Sequence, residues 1–151
     1  MGQIGINMIS INFKSIFLGF LAGPFVAGIV SMANNYLAVS LVPVIFTSLS
    51  AGINWINGYF LISNFLINAA FSLLGGYVAG RVAKQDEYLY AVAVAILGVS
   101  ATIGLSMLTA QKFNLPFMQL SHVFKLLLTT IPYAMLGAYL SHAKNIKEDI
   151  N

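Results

Sequence analysis

The sequence predicts an all-α fold: a polytopic membrane protein, built as a bundle of four transmembrane helices with a partly helical outer segment between spans one and two. The first observation is composition, since 59% of the 151 residues are hydrophobic and only 7% are charged. Soluble domains carry roughly 25% charged residues. The second observation is a mean hydropathy of +0.87. Because a span takes about 20 apolar residues, the length allows four or five helices and leaves no soluble domain over.

Four apolar runs define the predicted spans. The first contains Pro24, which removes a backbone donor and is expected to bend the helix. The second and third are separated by only a few polar residues, so they form an antiparallel hairpin. The predicted spans lie at about 12–33, 60–83, 88–110 and 120–143, and a short polar tail at 144–151 completes the single domain 1–151.

The segment between the first two spans is ambiguous. Residues 37–53 form an apolar run that is interrupted by Pro43 and is shorter than the roughly 20 residues of a span. Trp55 and Tyr59 follow it and have the character of interfacial anchors. We interpret the run as a partly helical segment that lies on or dips into the outer interface, with a complete crossing as the alternative. Asparagines bracket the run, at Asn34, Asn35, Asn54 and Asn57.

The distribution of Lys and Arg favours four spans over five. With four spans, five basic residues fall on one side of the membrane and two on the other, which satisfies the positive-inside rule. A fifth span would make this division four to three. The predicted topology therefore places both termini in the cytoplasm, with the protein in a cytoplasmic (inner) membrane. The predicted topology anchors are Arg81, Lys84, Lys144 and Lys147, joined on that side by Lys14, and the two outer residues are Lys112 and Lys125.

The first apolar run also has features of a cleaved secretory signal. Lys14 precedes it, and Ser31-Met32-Ala33 has the small-x-small form of a cleavage site. The run from Ser15 to Ala33 is nevertheless longer than the roughly 7–15 apolar residues of a signal. We therefore favour a retained first span over a cleaved signal.

Glycine recurs at helical spacing in the predicted spans. Lipid gives helices no hydrophobic drive to associate, so small residues matter because they let backbones approach closely. Residues 74–79 and 136–141 also resemble each other, although apolar segments of few residue types do so easily by chance. The predicted helix-packing residues are Gly19, Gly23, Gly28, Gly75, Gly76, Gly80, Gly98 and Gly137.

The second span carries polar and small residues at a strict four-residue interval, namely Asn64, Asn68, Ser72, Gly76 and Gly80. Residues four apart lie roughly on one face of a helix, so this face is expected to meet another helix rather than lipid. We favour hydrogen bonding and packing between helices, because polar groups in lipid need partners. The alternative is a polar path for a solute along Asn64, Asn68 and Ser72.

The residues that carry most enzyme chemistry are missing from the predicted spans. The chain has no cysteine, and its four acidic residues fall in the cytoplasmic turn or the tail. A carboxylate proton relay and a Ser-His-Asp arrangement are therefore not expected. His122 and His142 are twenty residues apart on one predicted helix, or about 30 Å, so they cannot share a metal ion. Lys125 is expected to reach the outer interface with its long side chain.

Residues 74–83, with the sequence Leu-Gly-Gly-Tyr-Val-Ala-Gly-Arg-Val-Ala, are followed by a short turn and another apolar helix. In this motif and in its layout the chain resembles a group of small bacterial four-helix integral membrane proteins of unknown function, which have an LGGYVAxRxA-like second helix. Gly80 and the Asn-rich second span depart from that pattern. The resemblance implies an architecture and brings no catalytic residues with it.

Together these observations predict a non-enzymatic structural or accessory membrane protein without cofactor or metal. Its expected partners are the lipid bilayer and, through the glycine faces, either a second copy in a homo-oligomer or another membrane protein. No nucleic acid is expected, because the scattered basic residues form no stripe that follows phosphates. The alternative function is a small oligomeric transporter or pore. A holin-like or immunity-type role is compatible with the small size without being specifically indicated.

Overall fold

The computed structural model describes residues 12–45, 49–84, 86–113 and 120–150, which are helical apart from their connections and contain no strand. Within them, four stretches are long and apolar enough to cross a membrane, which confirms the predicted all-α fold with four spans. The helices are α1 (Phe13–Phe20), α2 (Val26–Ile45), α3 (Leu49–Ala83), α4 (Glu87–Phe113) and α5 (Leu120–Ile150), and a π-helical segment (Leu21–Phe25) joins α1 to α2. The span-like stretches are Phe13–Leu41, Gly52–Ala83, Glu87–Leu108 and Val123–Ile146.

The outer segment between the first two spans is helical on both sides of residues 46–48 and continues the spans without a break. The first span-like stretch therefore extends past the predicted end near residue 33, and the second begins before residue 60. Helix α2 continues through Asn34, because the Asn34 side chain forms its hydrogen bonds with α3 instead of with its own backbone. Its Oδ1 accepts a hydrogen bond from the Tyr59 hydroxyl at 2.5 Å, and its Nδ2 donates to Ser63 Oγ at 3.1 Å.

The π-helical segment surrounds Pro24. A proline inside a helix has no N–H to donate, and its ring clashes with the carbonyl four residues earlier. A wider π-helical turn is one way in which a helix absorbs such a residue. The ring then packs against α4, where a Cβ placed on Gly98 would lie 2.6 Å from Pro24 Cγ. The absence of a side chain at Gly98 thus creates the space that the proline ring fills.

Helix α3 is the centre of the arrangement and packs against every other helical element of the described chain. Helices α1 and α5 both pack against the α3–α4 pair without touching each other, so they lie on different sides of it. Helix α2 contacts only α3 and the π-helical segment among the described residues. The far side of α2 is consequently not covered by this part of the chain.

The core consists mainly of small side chains and lies toward one end of the bundle. One cluster joins α4 to α5 through Ala91, Ala95, Ala134 and Ala138. A second joins Ala79, Tyr90 and Val94, with Ile16 and Ala83 packed against it. By contrast, no described side chain of residues 100–108 or 123–129 is fully buried. Because small residues allow close backbone approach, this end is where the helices are drawn together most tightly.

Candidate functional site

Among the described glycines, the closest approach of two helices joins α3 to α5 through a reciprocal pair. A Cβ on Gly76 would collide with the Ala134 backbone, at 2.7 Å from its carbonyl carbon. A Cβ on Gly137 would collide with the Leu73 carbonyl and lie 2.7 Å from the Tyr77 backbone nitrogen. Gly76 meets Ala134, Gly80 lies against Ser141 and Arg81 bonds to Asn145. Residue numbers therefore rise together along both helices, so α3 and α5 run parallel. The similar segments 74–79 and 136–141 therefore face each other across this contact.

A second glycine contact joins the first span to α3. A Cβ on Gly23 would lie 2.7 Å from the Phe71 carbonyl oxygen and 2.8 Å from Gly75 Cα. One turn earlier, a Cβ on Gly19 would lie 2.9 Å from the Gly75 carbonyl oxygen and 2.8 Å from Val94 Cγ2. Gly75 therefore faces the first span, while its neighbour Gly76 faces α5. Consecutive glycines let α3 be approached from two sides at the same level of the bundle.

The remaining predicted packing glycines differ in their surroundings. A Cβ on Gly80 would lie 3.1 Å from the Ser141 side chain on α5, a contact that a small shift could relieve. A Cβ on Gly28 would have nothing within 4 Å. Gly28 therefore takes no part in the packing of the described chain with itself, and its predicted role would require another molecule. Gly104 on α4 is equally open.

The predicted polar row of α3 changes character along the helix. Asn64 and Asn68 are half-buried, whereas Ser72 is buried and leads directly into the contact of Gly76 with α5. Asn64 Oδ1 is enclosed by protein and has no hydrogen-bond partner. The end of the row nearest Arg81 is thus occupied by helix packing, whereas the end that carries the two asparagines retains an unpaired acceptor.

A polar network closes the end of the bundle where α3 finishes and α4 begins. The Glu87 side chain is only 6% exposed, and its Oε2 lies 2.8 Å from His142 Nδ1 of α5. Asn145 Nδ2 donates to Glu87 Oε1 at 3.0 Å, and Arg81 of α3 donates to Asn145 Oδ1. Both carboxylate oxygens are therefore bonded, as burial of a charged group requires. The carboxylate also stands in the first turn of α4, where the helix dipole favours negative charge.

The start of α1 is fastened to the same end. The Asn12 side chain caps α1 by accepting a hydrogen bond from the Ser15 backbone N–H at 3.2 Å. The Asn12 backbone N–H donates to the Tyr90 hydroxyl at 2.8 Å, and the buried Ser15 hydroxyl donates to the Ala79 carbonyl at 2.6 Å. These bonds tie α1 to the end of α3 and the start of α4.

The predicted topology anchors fall around this network. Lys14, Lys84 and Lys144 are exposed there beside Arg81, and Lys147 lies near the end of α5. We call this the basic end of the bundle and the opposite end the far end. Lys125 is exposed in the first turns of α5, and Lys112 lies close to the end of α4, so both belong to the far end.

Sequence reasoning missed the network, because it assigned Glu87 to a solvated turn. The available signal was the spacing of Ser141, His142 and Asn145, which are polar residues within one turn on the last helix. His142 Nδ1 bonds to one carboxylate, and within the described residues no group of His, Cys, Asp and Glu could hold a metal ion. The side chain of His122 lies outside the described residues.

No protein-family model, curated protein or solved structure matches this chain.

Proposed function

We propose that this chain is a non-enzymatic structural or accessory protein of a bacterial cytoplasmic membrane, which acts by packing with a second copy or with another membrane protein. It would then stand with the small four-helix membrane proteins that residues 74–83 resemble. The observation that carries the proposal is the division of the glycines. The glycines at the α3 interfaces pack against other helices of the same chain, whereas a Cβ on Gly28 would have nothing within 4 Å.

The surface around Gly28 supports this role. Helix α2 touches only α3 and the π-helical segment in the described chain, which leaves one long side uncovered. On that side Ile29 is 54% exposed, Met32 65% and Tyr36 76%. Spacings of three and four residues place these side chains with Gly28 along one stripe of the helix. A glycine beside bulky side chains forms a notch into which a second helix can pack closely.

Substitution of Gly28 tests this stripe. We expect Gly28→Leu to lower self-association at least tenfold, because the new side chain fills the notch without touching the rest of the chain. The measurement is energy transfer between donor-labelled and acceptor-labelled copies in lipid vesicles, at several protein-to-lipid ratios. If only another membrane protein is the partner, the same substitution shrinks the complex seen in native gels of solubilised membranes.

Gly104→Leu is the matched control, since Gly104 is also open and lies on a different helix. It should leave both association and thermal stability unchanged. Equal association of the original chain, Gly28→Leu and Gly104→Leu, with complexes of one size in membranes, would exclude the stripe as an association surface.

We further propose that the basic end faces the cytoplasm, so that both termini lie there. The support is the charge distribution: five of the seven basic residues belong to the basic end and two to the far end. The positive-inside rule assigns the richer end to the cytoplasm.

Single cysteines can test this orientation, because the chain has none of its own. Asp86→Cys in the exposed α3–α4 turn should react with a membrane-impermeant maleimide only after the cells are opened. Asn114→Cys, between the end of α4 and the start of α5, should react in intact cells. The reverse pattern would invert the proposed topology, and reaction of both in intact cells would rule out an intact four-span arrangement.

A small transporter or pore is the second candidate function, and the unpaired Asn64 Oδ1 favours it. A buried acceptor without a donor costs free energy, which a hydrogen-bonding solute that reached it would recover. The packing of Gly76 against α5 argues against a transporter or pore, because this contact blocks the polar row of α3 on the side of the basic end. Solute flux through vesicles that Asn64→Leu abolishes would favour this function over packing alone.

A further inference from the structure

The first two spans lie in one uncharged interval that is much longer than any in the other two spans. No Asp, Glu, Lys, Arg or His occurs between Lys14 and Arg81. This interval contains the π-helical segment, all of α2 and all of α3 except its last turn. The uncharged character therefore continues through both helices up to the connection between them.

The two spans are also too long for an ordinary bilayer. The first span and its continuation have 33 residues from Phe13 to Ile45, and α3 has 35, which correspond to about 50 and 52 Å at 1.5 Å per residue. The hydrocarbon core of a typical bilayer is about 30 Å thick. Helix α4 has 27 residues, and α5 has 23 from Leu120 to His142, which is bonded to the first turn of α4. These two lengths are about 40 and 35 Å and lie nearer to that thickness.

The excess length lies at the far end. Ser15 is bonded to Ala79, Asn12 to Tyr90, and Glu87 to His142, so all four spans are level at the basic end. The first two spans therefore extend about 10–15 Å beyond the others at the far end. We call residues 35–45 of α2 and 49–62 of α3 the far hairpin.

The far hairpin exposes large apolar side chains. Leu37 is 60% exposed, and aromatic residues stand nearby, with Trp55 stacked on Tyr59 at 5.2 Å between ring centroids. Soluble protein surfaces and the rims of protein interfaces carry charge, whereas this hairpin carries none. Apolar side chains flanked by Trp and Tyr are typical of the zone where a membrane meets water. Four further exposed apolar side chains are Val39, Leu41, Ile45 and Ile53.

We propose that the far hairpin is a lipid-embedded element that makes the protein select thick bilayers, formed by lipids with long acyl chains. A span longer than the hydrocarbon core tilts, or thickens the bilayer around it, at a cost that grows with each ångström of mismatch. Tilting the whole bundle would leave the first two spans longer than the two spans to which they are bonded at the basic end. Long acyl chains cover the hairpin instead.

The single tryptophan of the chain, Trp55, lies in the far hairpin and reports on its surroundings. The full chain is placed in vesicles of myristoleoyl, oleoyl or erucoyl phosphatidylcholine, in order of increasing thickness. Trp55 quenching is measured with aqueous iodide and with brominated lipid, together with the temperature of thermal unfolding. In erucoyl vesicles we expect quenching by brominated lipid and the highest unfolding temperature. In myristoleoyl vesicles we expect at least twofold more quenching by iodide and a lower unfolding temperature.

A pair of variants separates thickness selection from general stability. Leu37→Ser with Ile53→Ser shortens the apolar length of the hairpin, so the most stabilising lipid should change from erucoyl to oleoyl. The control, Leu97→Ser with Met135→Ser, alters two comparably exposed apolar residues on α4 and α5. We expect it to lower the unfolding temperature by the same amount in every lipid, so that erucoyl vesicles remain the most stabilising.

Two results would overturn the proposal. Equally strong iodide quenching in all three lipids, with equal unfolding temperatures, would mean that the far hairpin stands in water. If Trp55 is instead shielded from both quenchers until the protein is diluted with lipid, that result would mean that a second copy covers the hairpin. Neither result depends on Gly28, so the proposed association along α2 is tested separately.

Discussion

Gly76→Leu is expected to destabilise the bundle by at least about 3 kcal/mol, the upper part of the range for overpacking. A side chain at this position meets the Ala134 backbone rather than a movable side chain. Helices α3 and α5 must therefore separate, and they lose their reciprocal contact at Gly137 at the same time. The unfolding free energy is measured by denaturant titration in mixed micelles, with helical circular dichroism as the signal.

Gly104→Leu measures how much a glycine-to-leucine change in a helix alters the free energy of unfolding when no neighbour is in the way. It adds the same side chain to a helix where nothing lies within 4 Å of the new Cβ, so its effect should stay within about 0.5 kcal/mol. A Gly76→Leu protein as stable as the Gly104→Leu protein would mean that α3 and α5 do not approach as closely as described.

Glu87→Ala is expected to cost about 2–4 kcal/mol, because it removes the acceptor shared by two side chains of α5. Asn145 would keep only its bond from Arg81, and His142 would lose its carboxylate partner. The free energy of unfolding of Glu87→Gln should lie between those of the original chain and Glu87→Ala, since glutamine retains one acceptor oxygen. The same titration in mixed micelles measures all three proteins.

Asp86→Asn is the control for loss of one negative charge at this end. Asp86 is exposed and has a positive φ of 53°, which Asn tolerates well. We expect an effect within about 0.5 kcal/mol. A double-mutant cycle of Glu87→Ala with His142→Ala isolates their interaction, and a coupling energy near zero would show that the buried carboxylate is not held by the histidine.

The sequence was sufficient for the parts of the structure that depend on local composition. The number of spans follows from apolar runs, and the crowded positions Gly19, Gly23, Gly75, Gly76 and Gly137 follow from the rule that small residues permit close approach. Which helix each glycine meets could not be predicted, because Gly75 and Gly76 differ by one residue and face different neighbours.

The polar network and the helix ends were beyond sequence reasoning for a different reason. Glu87 is separated from His142 by 55 residues and from Asn145 by 58, and nothing local distinguishes it from the exposed Asp86. The asparagine at position 34 is a residue type that often ends helices. Here tertiary hydrogen bonds to Tyr59 and Ser63 override that preference, so the helix continues.

The parallel contact of α3 with α5 also orders the biogenesis of the protein. During synthesis α3 enters the bilayer well before α5 is made, so the glycine groove at Gly76 first has only lipid beside it. The α3–α4 hairpin must wait in that state until residues 120–150 leave the ribosome. Only then can Ala134 and Gly137 complete the groove and His142 and Asn145 reach Glu87. The last helix thus acts as the closing step of assembly.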